Sequence, residues 1–212
     1  MMKNNLIIFG SSGHGGVIKE EVTKLGLFNN ILFFDDNKTL GPFGEKVEGG
    51  GKDLIKLEND YSIIIGIGNN HIRKEIFLEL ESINKLDFVN VVSVQAMVSP
   101  SANLGIGNLV VCGAIINHQV EIGNNCIINS AAVIEHNSVI GSHSHIGPGA
   151  KLAGGVIISE GVFIGMGACI LPGIRIGAGS TIGAGSVITR DIGEDETVIG
   201  IPGKSIKFNK IK

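Results

Sequence analysis

Histidine is the side chain of this sequence best suited to moving a proton near neutral pH. The chain contains six histidines, which are His14, His71, His118, His136, His143 and His145. A positioned imidazole can take the proton from an amine or a hydroxyl as that group attacks a carbonyl carbon. The serines and cysteines lie in no motif that activates a nucleophile, and the histidines and cysteines lack the spacing of metal ligands. We therefore expect a histidine to act as a general base, with no metal and no covalent enzyme intermediate.

A glycine-rich stretch at residues 10–16 is the strongest signal for anion binding. It lies between a predicted strand at residues 6–9 and a predicted helix at residues 17–24, which Gly26 is expected to end. Glycines allow backbone amides to approach a phosphate closely, and a helix N terminus adds positive potential. The stretch lacks the spacing of the full dinucleotide fingerprint, so a turn without a ligand remains the alternative.

Two further loops are expected at the same edge of a parallel sheet. Asp35 and Asp36 follow a predicted strand at residues 31–34, where a carboxylate can accept a hydrogen bond from a ribose hydroxyl. A loop that contains Gly68 ends a third predicted strand, at residues 61–67. Three loops that converge in this way predict a nucleotide site.

The first part of the chain alternates strands with helices. A second helix is predicted at residues 71–83, where apolar residues recur with helical spacing. The alternation predicts a small Rossmann-like α/β domain over residues 1–92, which is too short for two mononucleotide-binding halves.

The second part of the chain, residues 93–212, repeats every six residues. Each sixth position from Val98 to Ile188 is Val, Leu or Ile, and the residue two positions earlier is mostly small or β-branched. A period of six fits neither a helix nor one long strand, but it suits a chain that turns through three short flat sides in each coil. We therefore predict a parallel β-helix of about five coils, with glycines after many of the aliphatic residues to allow tight corners.

Residues eighteen apart lie on adjacent coils of such a helix. His118 and His136 are therefore expected to stack on one another, whereas His143 and His145 lie on a neighbouring face. Several histidines thus remain possible bases, and each of them can also be an ordinary solvated side chain.

The composition argues for a small-molecule partner. The 212 residues carry 17 Lys and Arg against 20 Asp and Glu, so no basic face is expected to bind nucleic acid or an anionic membrane. Cys112, Cys126 and Cys169 are scattered and odd in number, which predicts free thiols in a reducing compartment. The apolar run at residues 6–9 is too short for a signal peptide or a membrane span. We therefore expect a cytoplasmic protein.

Five segments, spread over nearly the whole chain, carry a resemblance to a known family. They are Gly10-Ser11-Ser12-Gly13-His14-Gly15, Phe34-Asp35-Asp36, Ile67-Gly68-Asn69-Asn70, Ile72-Arg73-Lys74 and Val133-Ile134-Glu135-His136. Together with the six-residue repeat they resemble the bacterial sugar O- or N-acetyltransferases of the PglD and NeuD type. The resemblance implies a left-handed parallel β-helix that works as a homotrimer. It also implies an N-terminal domain that binds a nucleotide-linked sugar, and acetyl-coenzyme A in the groove between two β-helices.

The resemblance also implies roles for individual residues. His136 would be the catalytic base, with Asn137 beside it. The predicted contacts to acetyl-coenzyme A are His145, Gly154, Met166 and Ala184, and those to the nucleotide sugar are Ser12, Gly13, His14, Asp35, Asp36 and Gly68.

One departure from the family concerns Asn137, because close relatives carry an acidic residue there. An amide can orient the imidazole of His136 but cannot stabilise its positive form. Glu135, or an acid from another subunit, could take that role. A weaker base favours an amine acceptor over a hydroxyl.

The predicted function is therefore direct transfer of acetyl from acetyl-coenzyme A, within a ternary complex, to the amine of a nucleotide-linked amino sugar. The best-matched acceptor is UDP-4-amino-4,6-dideoxy-N-acetylglucosamine. The alternatives within the family are N-acetylation of GDP-perosamine and O-acetylation of a sialic acid. A non-catalytic β-helix scaffold and a metal protein similar to the γ-carbonic anhydrases are alternatives of another class. The glycine-rich stretch argues against the scaffold, and the missing metal triad argues against the metal protein.

Overall fold

The computed structural model describes residues 5–57, 61–83 and 86–206. It confirms the predicted architecture, an α/β domain followed by a parallel β-helix. The first domain has four parallel strands in the order β2-β1-β3-β4, which are β1 Asn5–Phe9, β2 Asn30–Phe34, β3 Tyr61–Ile65 and β4 Asp87–Phe88. Its helices are α1 Gly13–Leu25, α2 Gly51–Leu54 and α3 Asn70–Glu81. The short elements β4 and α2 had no counterpart in the sequence prediction.

The central strand β1 is buried because helices cover both faces of a parallel sheet. Leu6, Ile7 and Ile8 have no exposed surface. Helix α1 begins at Gly13 and not at residue 17, so half of the predicted loop is the first turn of the helix. This early start requires glycine, because a Cβ on Gly15 would lie 2.1 Å from the Gly10 carbonyl oxygen. The helix ends at Gly26 in a left-handed conformation, as predicted.

The β-helix has three flat sides, each a stack of short parallel strands. The first side consists of β5 Val91–Val92, β8 Leu109–Val110, β11 Ile127–Ile128, β14 His145–Ile146, β17 Phe163–Ile164, β20 Thr181–Ile182 and β22 Thr197–Ile199, with β23 Lys204–Ile206 antiparallel at its end. The second side consists of β6 Met97–Val98, β9 Ile115–Ile116, β12 Val133–Ile134, β15 Lys151–Leu152, β18 Cys169–Ile170 and β21 Val187–Ile188. The third side consists of β7 Asn103–Leu104, β10 Glu121–Ile122, β13 Val139–Ile140, β16 Ile157–Ile158 and β19 Arg175–Ile176.

The repeating aliphatic residues point into this helix. Ile128, Ile134 and Ile140, one on each side, make up one full coil of the core, Ile146 begins the next, and all four are buried. Ile134 pairs with Leu152, so residues eighteen apart are in register as predicted. The second side has six strands, which makes about six coils instead of five, because the winding begins at β5, before the regular repeat.

The glycines that follow the aliphatic residues lie at tight corners where a Cβ would not fit, as predicted. They do not adopt the left-handed conformation, which occurs two residues later, as at Gly167 with φ 67°. They are required because adjacent coils approach closely at the corners. A Cβ on Gly165, for example, would lie 2.6 Å from the backbone nitrogen of Ala184 on the next coil.

Helix α1, with 13 residues, is the longest helix of the described part of the chain. No helix within those residues has the length and apolar character needed to cross a membrane.

Candidate active site

The ends of β1 and β2 are joined by the carboxylate of Asp35. The backbone N–H and the hydroxyl of Ser11 donate to its Oδ2 over 2.8 and 2.9 Å, and the N–H of Asn37 donates to its Oδ1 over 2.9 Å. Burial alone would raise the pKa of Asp35, but these hydrogen bonds outweigh burial and hold the pKa below its ordinary value. Asp35 is therefore ionised at neutral pH. Asp36 is exposed, and its Oδ1 accepts from the N–H of Gly51 over 2.8 Å.

The start of α1 is open to an incoming anion. Ser12 is the N-cap residue, is exposed, and makes no side-chain cap hydrogen bond. Gly13 is also exposed, and a Cβ placed on it would meet no atom within 4 Å. The N terminus of a 13-residue helix thus presents backbone N–H groups and a hydroxyl to free space, which is suitable for a phosphate.

His14, Gly68 and His145 form a contact between the two domains. The ring of His14 lies against Gly68, where a Cβ would be 2.7 Å from its Cε1, so only glycine fits. The two rings pack edge to face with centroids 5.6 Å apart. Nδ1 of His145 lies 3.3 Å from the Gly68 carbonyl oxygen, and its Nε2 lies 3.0 Å from Nδ2 of Asn129. Because an amide nitrogen can only donate, Nε2 accepts and the hydrogen of His145 is on Nδ1.

Both of these imidazoles are neutral at pH 7. His145 is 5% exposed, and burial, assisted by the charge of Arg73, lowers its pKa to about 4. Burial, with a smaller effect from Arg73, also lowers the pKa of His14. The sequence prediction did not anticipate that His145 would be buried between the domains.

Arg73 on α3 is a buried arginine whose position between the domains the sequence analysis did not predict. Its side chain is 1% exposed and fixes the N-terminal domain to the corner between the third and first sides. It donates over 2.8 to 3.3 Å to Asn70 Oδ1 and to the carbonyl oxygens of Ile67, Gly68, Asn125, His143 and Ser144. Burial lowers its pKa to about 10, so it remains a cation at neutral pH. None of these acceptors is a carboxylate, so no hydrogen-bonded anion neutralises the positive charge of the guanidinium.

His136 lies elsewhere, on the corner between the second and third sides. Its ring is exposed and lies over Gly154 on the next coil, where a Cβ would be 2.7 Å from its Cε1. Its Nδ1 is 2.9 Å from Oδ1 of Asn137, and Nδ2 of Asn137 donates to Oε1 of Gln119 over 2.8 Å. Glu135 does not reach the ring in this arrangement, because its Oε2 accepts from Nδ2 of Asn117 over 2.9 Å.

Met166 and Ala184 occupy the third corner, between the first and second sides. They lie one coil apart and both are exposed. The predicted site residues thus form three groups within one chain. The sheet edge that carries Ser11, Asp35 and Gly68 lies next to His145. The third side separates this edge from His136 and Gly154, and Met166 and Ala184 lie on another corner.

Two open cavities border these groups. One of about 760 Å³ lies between the start of α3 and the corner of the third and first sides. Its walls include Gly68, Asn70, Lys74, Glu160, Phe163 and Thr181. The other, of about 440 Å³, runs beside His136 and is lined by Ser101, Asn103, Gln119, Glu121, Asn137 and Val139. Among residues 5–57, 61–83 and 86–206 there is no group of three or more His, Cys, Asp or Glu side chains arranged for a metal ion.

Both parts of the chain match known families. Residues 5–80 match the PglD N-terminal domain, and residues 120–154 and 155–190 match the bacterial transferase hexapeptide (six repeats). The chain is 38% identical over 111 residues to UDP-N-acetylbacillosamine N-acetyltransferase from Bacillus subtilis (strain 168). That match covers 50% of this chain and 51% of the Bacillus protein, so it spans about half the length of this curated relative.

Solved structures resemble the chain over nearly its whole length. The acetyltransferase domain of PglB from Neisseria gonorrhoeae FA1090, in complex with acetyl coenzyme A, is 34% identical with a TM-score of 0.93. The likeness covers 96% of this chain and 100% of that one. PerB from Caulobacter crescentus, in complex with CoA and GDP-perosamine, is 34% identical with a TM-score of 0.91, over 96% of this chain and 97% of that one. The chain therefore belongs to the family of bacterial nucleotide-sugar acetyltransferases that join a PglD-type N-terminal domain to a hexapeptide-repeat β-helix.

Proposed function

We propose that this protein transfers acetyl from acetyl-coenzyme A to the amine of a nucleotide-linked amino sugar. The observation that carries the proposal is the likeness, over 96% of the chain, to PglB with acetyl coenzyme A and to PerB with CoA and GDP-perosamine. UDP-4-amino-4,6-dideoxy-N-acetylglucosamine is the first candidate acceptor, because the Bacillus relative is named for a UDP-linked sugar. GDP-perosamine is the second, because PerB binds it.

The nucleotide is assigned to the carboxyl edge of the sheet. The open start of α1 at Ser12 and Gly13 suits the diphosphate, because free N–H groups and the helix dipole favour negative charge there. The exposed carboxylate of Asp36 is placed to accept from a ribose hydroxyl, as predicted from its position after β2. The bonded carboxylate of Asp35 holds Ser11, and with it the glycine-rich loop, in place.

The sugar is assigned to the cavity of about 760 Å³ beside Gly68. Phe163 gives this cavity an apolar wall, and Glu160 and Thr181 give it polar groups. His14 and His145 lie against Gly68, which lines this cavity, and both are neutral imidazoles, so they add no positive charge beside an acceptor amine.

His136 is assigned as the general base. Its Nδ1 faces an amide oxygen, which can only accept, so Nδ1 carries the hydrogen and Nε2 keeps a free lone pair. The amine nitrogen forms a bond to the thioester carbonyl carbon, the carbon–sulfur bond breaks, and CoA leaves as a thiolate. Nε2 of His136 takes the proton that the amine loses, and this proton neutralises the thiolate. Gly154 leaves room at this point for the thioester to approach the imidazole.

The complete site is assigned to the contact between two chains of a homotrimer. Within one chain the third side stands between His136 and the nucleotide-binding edge. The N-terminal domain packs on the early coils of the first side, at Val91, Leu109 and Ile127, whereas outward apolar residues of the second side are left partly exposed. These residues are Met97, Ile115, Val133, Cys169 and Val187, of which Met97 is 67% exposed. Burying such a row against another chain would favour association.

The reaction is assigned to the cytoplasm. Cys112, Cys126 and Cys169 are all free in the structure, which fits a reducing compartment.

The test is acetyl-CoA turnover with a panel of UDP- and GDP-linked amino sugars, with the His136→Ala variant measured alongside. We expect one acceptor to be preferred, and the variant to lose about 100-fold in kcat or more. His118→Ala is the matched control, because His118 is exposed on the same corner one coil earlier and bonds Ser101 over 2.8 Å. Full turnover by His136→Ala would remove the base assignment. Failure of the wild type to acetylate any sugar of the panel would favour a non-catalytic scaffold.

A further inference from the structure

We propose that Gln119 is a positioning residue that determines which ring nitrogen of His136 carries the hydrogen. It acts through Asn137 and does not touch the reacting atoms. The inference rests on the proposed role of His136 as base and deepens it, because sequence analysis gave Gln119 no role.

The geometry is a short chain of three side chains on two adjacent coils. Asn137 lies between the other two, with its Oδ1 2.9 Å from Nδ1 of His136 and its Nδ2 2.8 Å from Oε1 of Gln119. A primary amide has one accepting end and one donating end. As long as Nδ2 is held by Gln119, only the accepting end of Asn137 can face the imidazole.

An amide needs such a holder, whereas a carboxylate does not. Both oxygens of a carboxylate accept, so its rotation by half a turn changes nothing for the histidine. The same rotation of Asn137 would direct an NH₂ group at Nδ1 of His136. Nδ1 would then have to accept, the hydrogen would move to Nε2, and the nitrogen assigned as the base could no longer take a proton.

The backbone is arranged to present these two side chains. Gln119 and Asn137 have φ values of 53° and 58°, in the left-handed region that most residues avoid. The next two positions of the same column are Gly155 and Gly173, which adopt this conformation without a steric cost. The N–H of Gln119 donates to Oγ of Ser101 over 3.1 Å, and the N–H of Asn137 donates to the carbonyl of His118 over 3.0 Å. The two coils beside His136 therefore carry amides where glycine is the least strained choice.

The test reverses the hydrogen-bonding character of position 119 in the full-length protein. Gln119→Glu supplies only acceptors and should keep Asn137 as it is. Gln119→Lys supplies only donors and should turn the oxygen of Asn137 away from His136. The tautomer of His136 is measured by ¹⁵N NMR of histidine-labelled protein above neutral pH, with the His136→Ala variant used to assign the signals. Ala131→Lys is the control, because it adds the same side chain at φ 55° on a different corner.

We expect hydrogen on Nδ1 in the wild type, in Gln119→Glu and in Ala131→Lys, and on Nε2 in Gln119→Lys. In Gln119→Lys the kcat should fall about 10-fold or more with the KM values nearly unchanged, because the wrong tautomer disables the base without removing a substrate contact. Retention of the hydrogen on Nδ1 in Gln119→Lys would overturn the inference. If the tautomer changes in Gln119→Lys but kcat does not, Gln119 is a positioning residue and His136 is not the base. The failure of the proposed base is therefore distinguishable from the failure of the proposed role of Gln119.

Discussion

Acidification should destabilise this protein through the buried imidazole of His145. Burial lowers the pKa of this residue to about 4, whereas a histidine in an unfolded chain titrates near 6.5. The folded protein keeps His145 neutral down to about pH 4, but the unfolded chain takes up a proton at a higher pH. The corresponding stability is therefore present above pH 6.5 and is lost as the pH falls from 6.5 towards 4.

The size of the effect follows from the difference between the two pKa values. The values of 6.5 and about 4 correspond to about 3 kcal/mol when the loss is complete. Between pH 7 and pH 4.5 the free energy of unfolding should fall by about 2 kcal/mol on account of His145 alone. Because His145 is only 5% exposed, solvent screening reduces this free-energy difference little.

The assay is urea unfolding at pH 7 and at pH 4.5, at one protein concentration, for the wild type and for His145→Gln. The glutamine cannot titrate, so the variant should lose about 2 kcal/mol less than the wild type over this interval. All other titrating groups are common to both proteins and cancel in the comparison. His118→Gln, which removes an exposed imidazole, should behave as the wild type does. Equal pH dependence in the wild type and His145→Gln would refute the reasoning.

Three further predictions concern single residues. Arg73→Lys should lower the free energy of unfolding by about 3 kcal/mol in a denaturant titration, because one ammonium cannot serve the six acceptors of the guanidinium. Arg175→Lys, on the exposed third side, should have no effect, and equal losses in the two variants would contradict this role of Arg73. Gly154→Ala should lower kcat about 10-fold or more in an acetyl-transfer assay, since the added methyl would lie 2.7 Å from Cε1 of His136 and displace the ring; wild-type kcat in a folded variant would show that the ring position is unimportant. Gly13→Glu should raise the KM for the nucleotide sugar about 10-fold and leave the KM for acetyl-CoA unchanged, because it adds a negative charge where the diphosphate is assigned. An unchanged KM for the sugar would show that the diphosphate does not bind at the start of α1.

The fold was largely predictable from sequence because every coil of the β-helix repeats one constraint. An inward aliphatic residue every six positions leaves few alternatives, and the register of Ile134 with Leu152 follows directly from it. Strands β1, β2 and β3 of the first domain were predictable as well, since continuous apolar runs are typical of buried parallel strands, whereas the two-residue β4 has no such run. The start of α1 was placed four residues late, because glycines suggest a loop whereas here they allow close packing of the helix on Gly10.

The candidate site was predictable only in part. The spacing of eighteen residues predicts that His118 and His136 lie on one corner of adjacent coils, as they do in the structure. The predicted loops at Ser11, Asp35 and Gly68 also converge on one edge of the sheet. Nothing in the helical pattern of α3 indicated that Arg73 is buried, because an arginine beside an apolar stripe is usually exposed. The burial of His145 and the hydrogen bond from Asn137 to Gln119 depend on how domains and coils pack, which one-dimensional spacing does not contain.

A mixture of two impaired variants tests the central claim that each site is shared between chains. His136→Ala removes the proposed base, and Gly13→Glu weakens binding at the proposed nucleotide end, at a position where a new side chain meets no atom within 4 Å. When the two are unfolded together in equal amounts and refolded, about a quarter of the sites between chains should combine an intact base with an intact nucleotide end. At a sugar concentration well below KM, the mixture should therefore reach about a quarter of the wild-type rate of acetyl transfer, which is well above the mean of the two variants refolded alone. No recovery from a mixture shown to contain hybrid oligomers would place the whole site within a single chain and contradict the account.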